Sequence, residues 1–304
     1  VDGSQNVAIG SQAIGGTLGS TADNASDLIA IGYQALGGNW ENVSLTDNIA
    51  IGTSAMGGAI NGAIRAIAIG KEALDGVITT ATNGVIAIGY QSGKAITGGN
   101  GTVAIGYQAL TANTIGIFNT AIGYQALVSN VDGSTNTAVG YLALTTFEAD
   151  TQDHGENTAV GSKAGTAVST GTGNTLIGKD SGLALTTGDN NTVLGTMALS
   201  ADTDGTDNVA IGWKAGRNVH GAQKNVMIGY QAMANIDNNP GDEIANSVAI
   251  GYQAFLGSDN NTTGTTTDAN GTVAIGYQTL KALTTGQYNT AIGFEAGLVL
   301  TELD

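Results

Sequence analysis

Asn119-Thr-Ala-Ile-Gly-Tyr-Gln-Ala-Leu127 decides the fold, because versions of it recur along the whole chain. The unit is centred on sixteen glycines, running from Gly10 through Gly106, Gly123 and Gly140 to Gly293. Eight of the fifteen intervals between them are 17 residues long, so 17 is the base period and the longer intervals are the same unit with insertions. The motif extends from Asn6 to Gly297, and residues 1–304 read as a single repeat domain with no room for a second one.

Each column of the repeat has its own chemistry. Three residues before the glycine stands Val, Ile or Thr, and one residue before it stands Ile, Val or Leu, in all sixteen copies. Ala lies between them in thirteen copies. This β-branched, period-two pattern predicts a short strand with large apolar residues on one face and Ala and Gly on the other. The large face is expected to fill the coil interior, leaving the Ala/Gly face flat and open to close approach. Four residues before the glycine is Asn in ten copies, Asn119 and Asn136 among them. Asn tolerates left-handed geometry at a corner, and stacked copies can form a ladder of side-chain amides. An aromatic follows the glycine in ten copies, including Tyr107, Tyr124 and Tyr141, and this column holds eight of the nine tyrosines. Gln comes next in eight copies. The half after the glycine is expected to be a second short strand, making the chain a stack of two-stranded coils. Helical apolar spacing is sustained nowhere over three turns.

Composition agrees. The 304 residues include 48 Gly, one Pro and no Cys, and only 11% are charged, against about 25% in ordinary globular domains. Aromatics amount to 5%, too few large side chains to fill a compact globular core. Missing cysteine removes the disulfide-stapled class. The formal net charge of −16 excludes nucleic acid and an anionic lipid surface as natural partners. No apolar stretch approaches the roughly 20 residues of a membrane-spanning helix, so membrane insertion by this segment is not expected. No signal peptide opens the chain, which begins at Val1 and reads as a processed chain or an excised segment.

A single 17-residue coil cannot bury its apolar face, whereas stacked coils about 4.8 Å apart satisfy one another's backbone hydrogen bonds. About sixteen coils would then form an all-β solenoid on the order of 75 Å long. A core this thin favours self-association, with three rods side by side.

The recurring Asn-Val-Ala-Ile-Gly unit, best seen at Asn6–Gly10, Asn48–Gly52, Asn208–Gly212 and Ser247–Gly251, resembles the head repeat of YadA-like trimeric autotransporter adhesins. That resemblance implies a homotrimeric, left-handed parallel β-roll. It also implies a role in extracellular attachment to host or environmental glycans or proteins, on an outer-membrane-anchored or virion fibre. The Gly-Tyr-Gln-Ala-Leu continuation is similar to repeats in phage tail fibres, which makes a fibre segment contacting a host surface the alternative.

Candidate sites are few. The insertions at Gly37–Asp47, Thr145–Glu156, Ala234–Asn246, Gly257–Asn270 and near Gly15–Asp27 fall at one point of the coil, where solenoids carry binding loops. Trp40 and Phe147 sit in them and would anchor a ligand or tuck against their own coil. The aromatic column reads either as a glycan- or receptor-binding stripe or, preferably, as a structural ladder together with the glycines and asparagines. Asp202, Asp204 and Asp207 could wrap a hard cation, but a solvated acidic turn is favoured and no metal or cofactor is expected. His154 and His220 lie in different turns, and neither a nucleophile elbow nor a nucleotide loop is present. The chain therefore reads as structural or adhesive and not as an enzyme. A polysaccharide depolymerase, which needs paired carboxylates in a groove, is the third reading. Thr in the first strand column occurs in only six copies, too broken an array for ice binding.

Overall fold

The computed structural model describes residues 5–15, 25–39, 45–61, 65–79, 83–148, 155–236, 244–257, 270–283 and 286–298. The chain divides into two compact units, Val1–Glu156 and Asn157–Asp304. Both are parallel β-solenoids, and no helix occurs among the described residues.

In the first unit the strands are β1 (Val7–Ile9), β2 (Ile29–Ile31), β3 (Ile49–Ile51), β4 (Ile60–Asn61), β5 (Ile67–Ile69), β6 (Ile78–Thr79), β7 (Ile86–Ile88), β8 (Val103–Ile105), β9 (Thr120–Ile122) and β10 (Thr137–Val139). The second unit holds β11 (Thr158–Val160), β12 (Thr175–Ile177), β13 (Thr192–Leu194), β14 (Val209–Ile211), β15 (Val226–Ile228), β16 (Val248–Ile250), β17 (Val273–Ile275) and β18 (Thr290–Ile292). Within each unit the three-residue strands pair in parallel, like position over like position: Thr120 lies against Val103 and Thr137, and Val209 against Thr192 and Val226. Insertions of different length do not disturb this register, since each strand is aligned by its column and not by its distance along the chain. The pair β4–β6 adds a short second ladder in the first unit.

Two expectations are corrected. The strand faces are the reverse of the predicted arrangement. The central Ala is fully buried, as at Ala104, Ala121 and Ala210, while the flanking large residues point outward and stay half-exposed. The coil is narrow: a methyl fills the inward strand position in most copies, while Leu176, Val193 and Met227 put a larger, fully buried side chain there. Its larger interior positions are filled from the turns and corners, by Leu110, Leu127 and Phe147 in one unit and Val168, Leu185 and Val219 in the other.

The segment after the motif glycine is also not a strand. It is a tight turn in which Gln108 and Leu110 adopt left-handed φ values of 52° and 53°, repeated at Gln125 and Leu127 with 50° and 51°. Left-handed geometry costs an L-residue roughly 1–2 kcal/mol. Here it is offset by bonds to the coils on both sides: Gln108 N–H donates to Tyr90 O at 2.9 Å and Leu110 N–H to Ala126 O at 3.0 Å. The Leu110 side chain is buried in the same step.

Candidate functional site

The repeat places every chemically distinctive residue in a column, so the candidate site is a set of ladders. The glycine column forms the sharp exit from each strand. Gly106, Gly123 and Gly140 have φ of 136°, 140° and 143°, a region that side chains strongly disfavour. A Cβ on Gly123 would lie 2.7 Å from the carbonyl carbon of Gly140 and collide with its oxygen. Only glycine lets consecutive coils approach this closely.

The asparagine column is a buried amide ladder, as the sequence predicts. Asn136 Nδ2 donates to Asn119 Oδ1 at 3.1 Å, and Asn119 Nδ2 donates to Gly133 O at 2.7 Å. In the second unit the ladder runs through Asn157, Asn174, Asn191, Asn208 and Asn225, with amide–amide steps of 3.0–3.2 Å. A second amide pair, Asn113 and Asn130, was not singled out in the sequence, although its 17-residue spacing marks it. Asn130 Nδ2 donates to Asn113 Oδ1 at 2.9 Å. Phe147 occupies the next place in that column and is fully buried, leaving Asn130 Oδ1 without a hydrogen-bond partner. Phe147 is thus core: of its two readings, ligand anchor or residue tucked against its own coil, its full burial agrees with the second. Trp40 and His154 lie outside the described residues.

The aromatic column is a stack. Rings of Tyr90, Tyr107, Tyr124 and Tyr141 follow one another at 5.2, 5.0 and 5.5 Å, nearly parallel. Trp213, Tyr230, Tyr252, Tyr277 and Phe294 repeat the arrangement at 4.6–5.2 Å. Neighbouring rings cover one another's faces, and Lys71 Nζ sits 5.9 Å from the centre of the first ring, Tyr90. Stacking of sugar rings on those faces is therefore blocked, and the ladder presents edges and phenol groups. Beside it runs a glutamine ladder: Gln108 Nε2 donates to Gln91 Oε1 and Gln125 Nε2 to Gln108 Oε1, both at 2.9 Å. Glu72 ends this run, accepting from Gln91 at 2.8 Å and from Lys94 at 2.6 Å. The hydrogen bonds from Lys94 and then Gln91 hold the Glu72 carboxyl down at about 2.

Asp202 departs from expectation. Its turn is not solvated at this residue: the side chain is fully buried, in a column with Leu185 and Val219. Oδ1 accepts from Gly205 N–H at 3.1 Å and Gly221 N–H at 3.0 Å, while Oδ2 has no partner. Among the described residues no three His, Cys, Asp or Glu side chains come together to hold a metal ion. Burial pushes the Asp202 carboxyl up to about 7, against an ordinary 3.8, with the charge of Asp204 adding to the rise and backbone N–H groups opposing it. A carboxyl raised on folding favours the native state while protonated in it, so stability is lost as pH rises from about 4 through about 7. The second unit is expected to melt at a higher temperature at pH 5 than at pH 8, and Asp202→Asn to flatten that dependence. Melting curves at the two pH values check this.

The two outward strand columns complete the site, one of Ile, Val or Leu just before the glycine and one of Val, Ile or Thr two residues earlier. Ile122 is 37% exposed and Leu194 45%, and the corresponding residues of the other strands are half-buried or exposed. No described helix is long and apolar enough to cross a membrane. Compared with known proteins, the chain matches no family model, and no curated sequence matches it.

Proposed function

We propose that this chain is a structural and adhesive segment of an extracellular fibre, a homotrimeric left-handed parallel β-roll of sixteen coils that provides reach, stiffness and surface attachment. The observation that carries the proposal is the outward strand column of Ile, Val and Leu just before the glycine. Fully burying an Ile, Val or Leu contributes about 1.5–3 kcal/mol, so each half-exposed residue retains on the order of 1 kcal/mol to be gained by contact. Eight such residues per unit, in the column just before the glycine, form a continuous stripe. A regular stripe of this kind suits a second and third copy of the same chain, because identical columns meet at identical spacing. The repeat's resemblance to YadA-like heads supports the number three and the handedness. The net charge of −16 keeps such particles apart except where apolar stripes meet.

In this reading the segment has no catalytic role, and its outside partner is a glycan or protein on a host or environmental surface. Sedimentation equilibrium tests the assembly: the expected mass is three times the 30.2 kDa of the chain, and a stable monomer refutes it. Ile105→Asp with Ile122→Asp is expected to yield monomers with an unchanged β circular-dichroism spectrum, because both side chains point away from the coil interior. Binding of the trimer to glycan- or matrix-coated surfaces tests attachment, and turnover of a surface polysaccharide would replace this reading with the depolymerase one.

A further inference from the structure

We propose that the stacked tyrosines are an oxidative modification site, at which neighbouring coils become joined by carbon–carbon dityrosine bonds. Three observations carry it. The rings of Tyr90, Tyr107, Tyr124 and Tyr141 stand 5.0–5.5 Å apart in sequence-independent register, and Tyr230, Tyr252 and Tyr277 stand 5.0–5.2 Å apart. Tilts of 6–24° keep successive rings nearly parallel, so each phenol has a neighbouring phenol directly beside it in the stack. All seven are also between 37% and 49% exposed, so the phenols are open to an oxidant and the rings have room to turn toward each other.

The oxidant is hydrogen peroxide acting through a haem peroxidase. Each of two phenols loses one electron and one proton, giving two tyrosyl radicals, while one peroxide takes up two electrons and two protons and leaves as two waters. The radicals couple between ortho carbons, and the hydrogen on each coupled carbon moves to its own phenol oxygen, restoring both aromatic rings. The protein loses two hydrogen atoms per link. Two adjacent phenols on a rigid ladder meet at an effective concentration far above that of free chains, which favours coupling within the ladder. The product is a covalent staple between coils of a protein that has no cysteine to supply a disulfide. It does not depend on the number of chains in the assembly.

The native protein would be treated with peroxidase and limiting peroxide, unfolded, digested with trypsin and analysed by mass spectrometry. Cleavage at Lys94 separates Tyr90 from Tyr107, so their link joins peptides 72–94 and 95–163. That joined species is expected, as are losses of two hydrogens within 95–163 and within 225–281, at yields independent of protein dilution. The same chain oxidised in urea is expected to give these links on the order of tenfold less often. Tyr107→Phe keeps the stack and is expected to abolish the link to 72–94 while leaving coupling of Tyr124 with Tyr141. Equal yields in urea, yields that fall with dilution, or links formed as readily by Tyr33 and Tyr288, which stand outside the stacks, overturn the proposal.

Discussion

Gly123→Ala is expected to destabilise the first unit by on the order of 4 kcal/mol, seen as a lower urea midpoint. Two costs combine. The backbone at φ 140° admits a side chain only with strain of roughly 1–3 kcal/mol. The new methyl also collides with the Gly140 carbonyl, and a methyl forced into close-packed surroundings costs roughly 1–3 kcal/mol more. Gly84→Ala separates the two. Gly84 has φ 73°, and a Cβ there meets nothing within 4 Å, so only the backbone cost of roughly 1–2 kcal/mol applies. Equal loss at the two sites would mean that coil-to-coil approach at the glycine column contributes nothing. The expected difference between them measures how strongly that column sets the pitch of the ladder.

Asn191→Val is expected to cost the second unit a comparable amount, through unmet hydrogen bonds. Asn191 Nδ2 donates to Asn174 Oδ1 at 3.0 Å and to Gly205 O at 2.7 Å, while its Oδ1 accepts from Asn208 N–H at 3.1 Å and Asn208 Nδ2 at 3.0 Å. Asn174, Asn191 and Asn208 are all fully buried, so water cannot replace these partners. Each stranded buried group costs about 1–3 kcal/mol, giving a loss on the order of 4 kcal/mol. The pattern is more telling than the size. Asn191→Val with Asn208→Val removes both sides of a broken step, and the pair is expected to cost less than the sum of the single changes. A double-mutant cycle by denaturant unfolding checks this, and simple additivity would show that the amides act independently. The first unit already carries Leu28, Ala66 and Val85, all buried, in the same column. The corner thus tolerates apolar residues where no amide neighbour is left unpaired on their account.

The dityrosine, amide and glycine predictions concern different columns of one repeat, and they differ in how legible they are. The amide ladder is readable because Asn recurs at a fixed place and a parallel stack in register must put like side chains together. Ring stacking follows for the same reason. The acidic turn at Asp202 is misleading. Nothing in Asp202-Thr-Asp-Gly-Thr-Asp207 distinguishes a buried carboxylate from a solvated one until Leu185 and Val219 are seen 17 residues to either side. Phe147 follows the same rule. In the sequence it belongs to an insertion, but its 17-residue distance from Asn130 places it in a buried corner column.

Periodicity alone determined the parallel solenoid, the register, and the identity of the glycine, asparagine and tyrosine ladders, because a repeat that stacks on itself converts sequence period into spatial alignment. Tertiary structure decided which strand face is inside and what the Tyr-Gln-Ala-Leu segment does. An alternation such as Val-Ala-Ile specifies two faces without saying which is enclosed. The narrow coil encloses the central side chain, Ala in most copies, and turns the flanking ones outward. Left-handed Gln and Leu turns are equally hidden from local propensity. Their backbone cost is met only by hydrogen bonds to the coils before and after them, and no single repeat contains those partners.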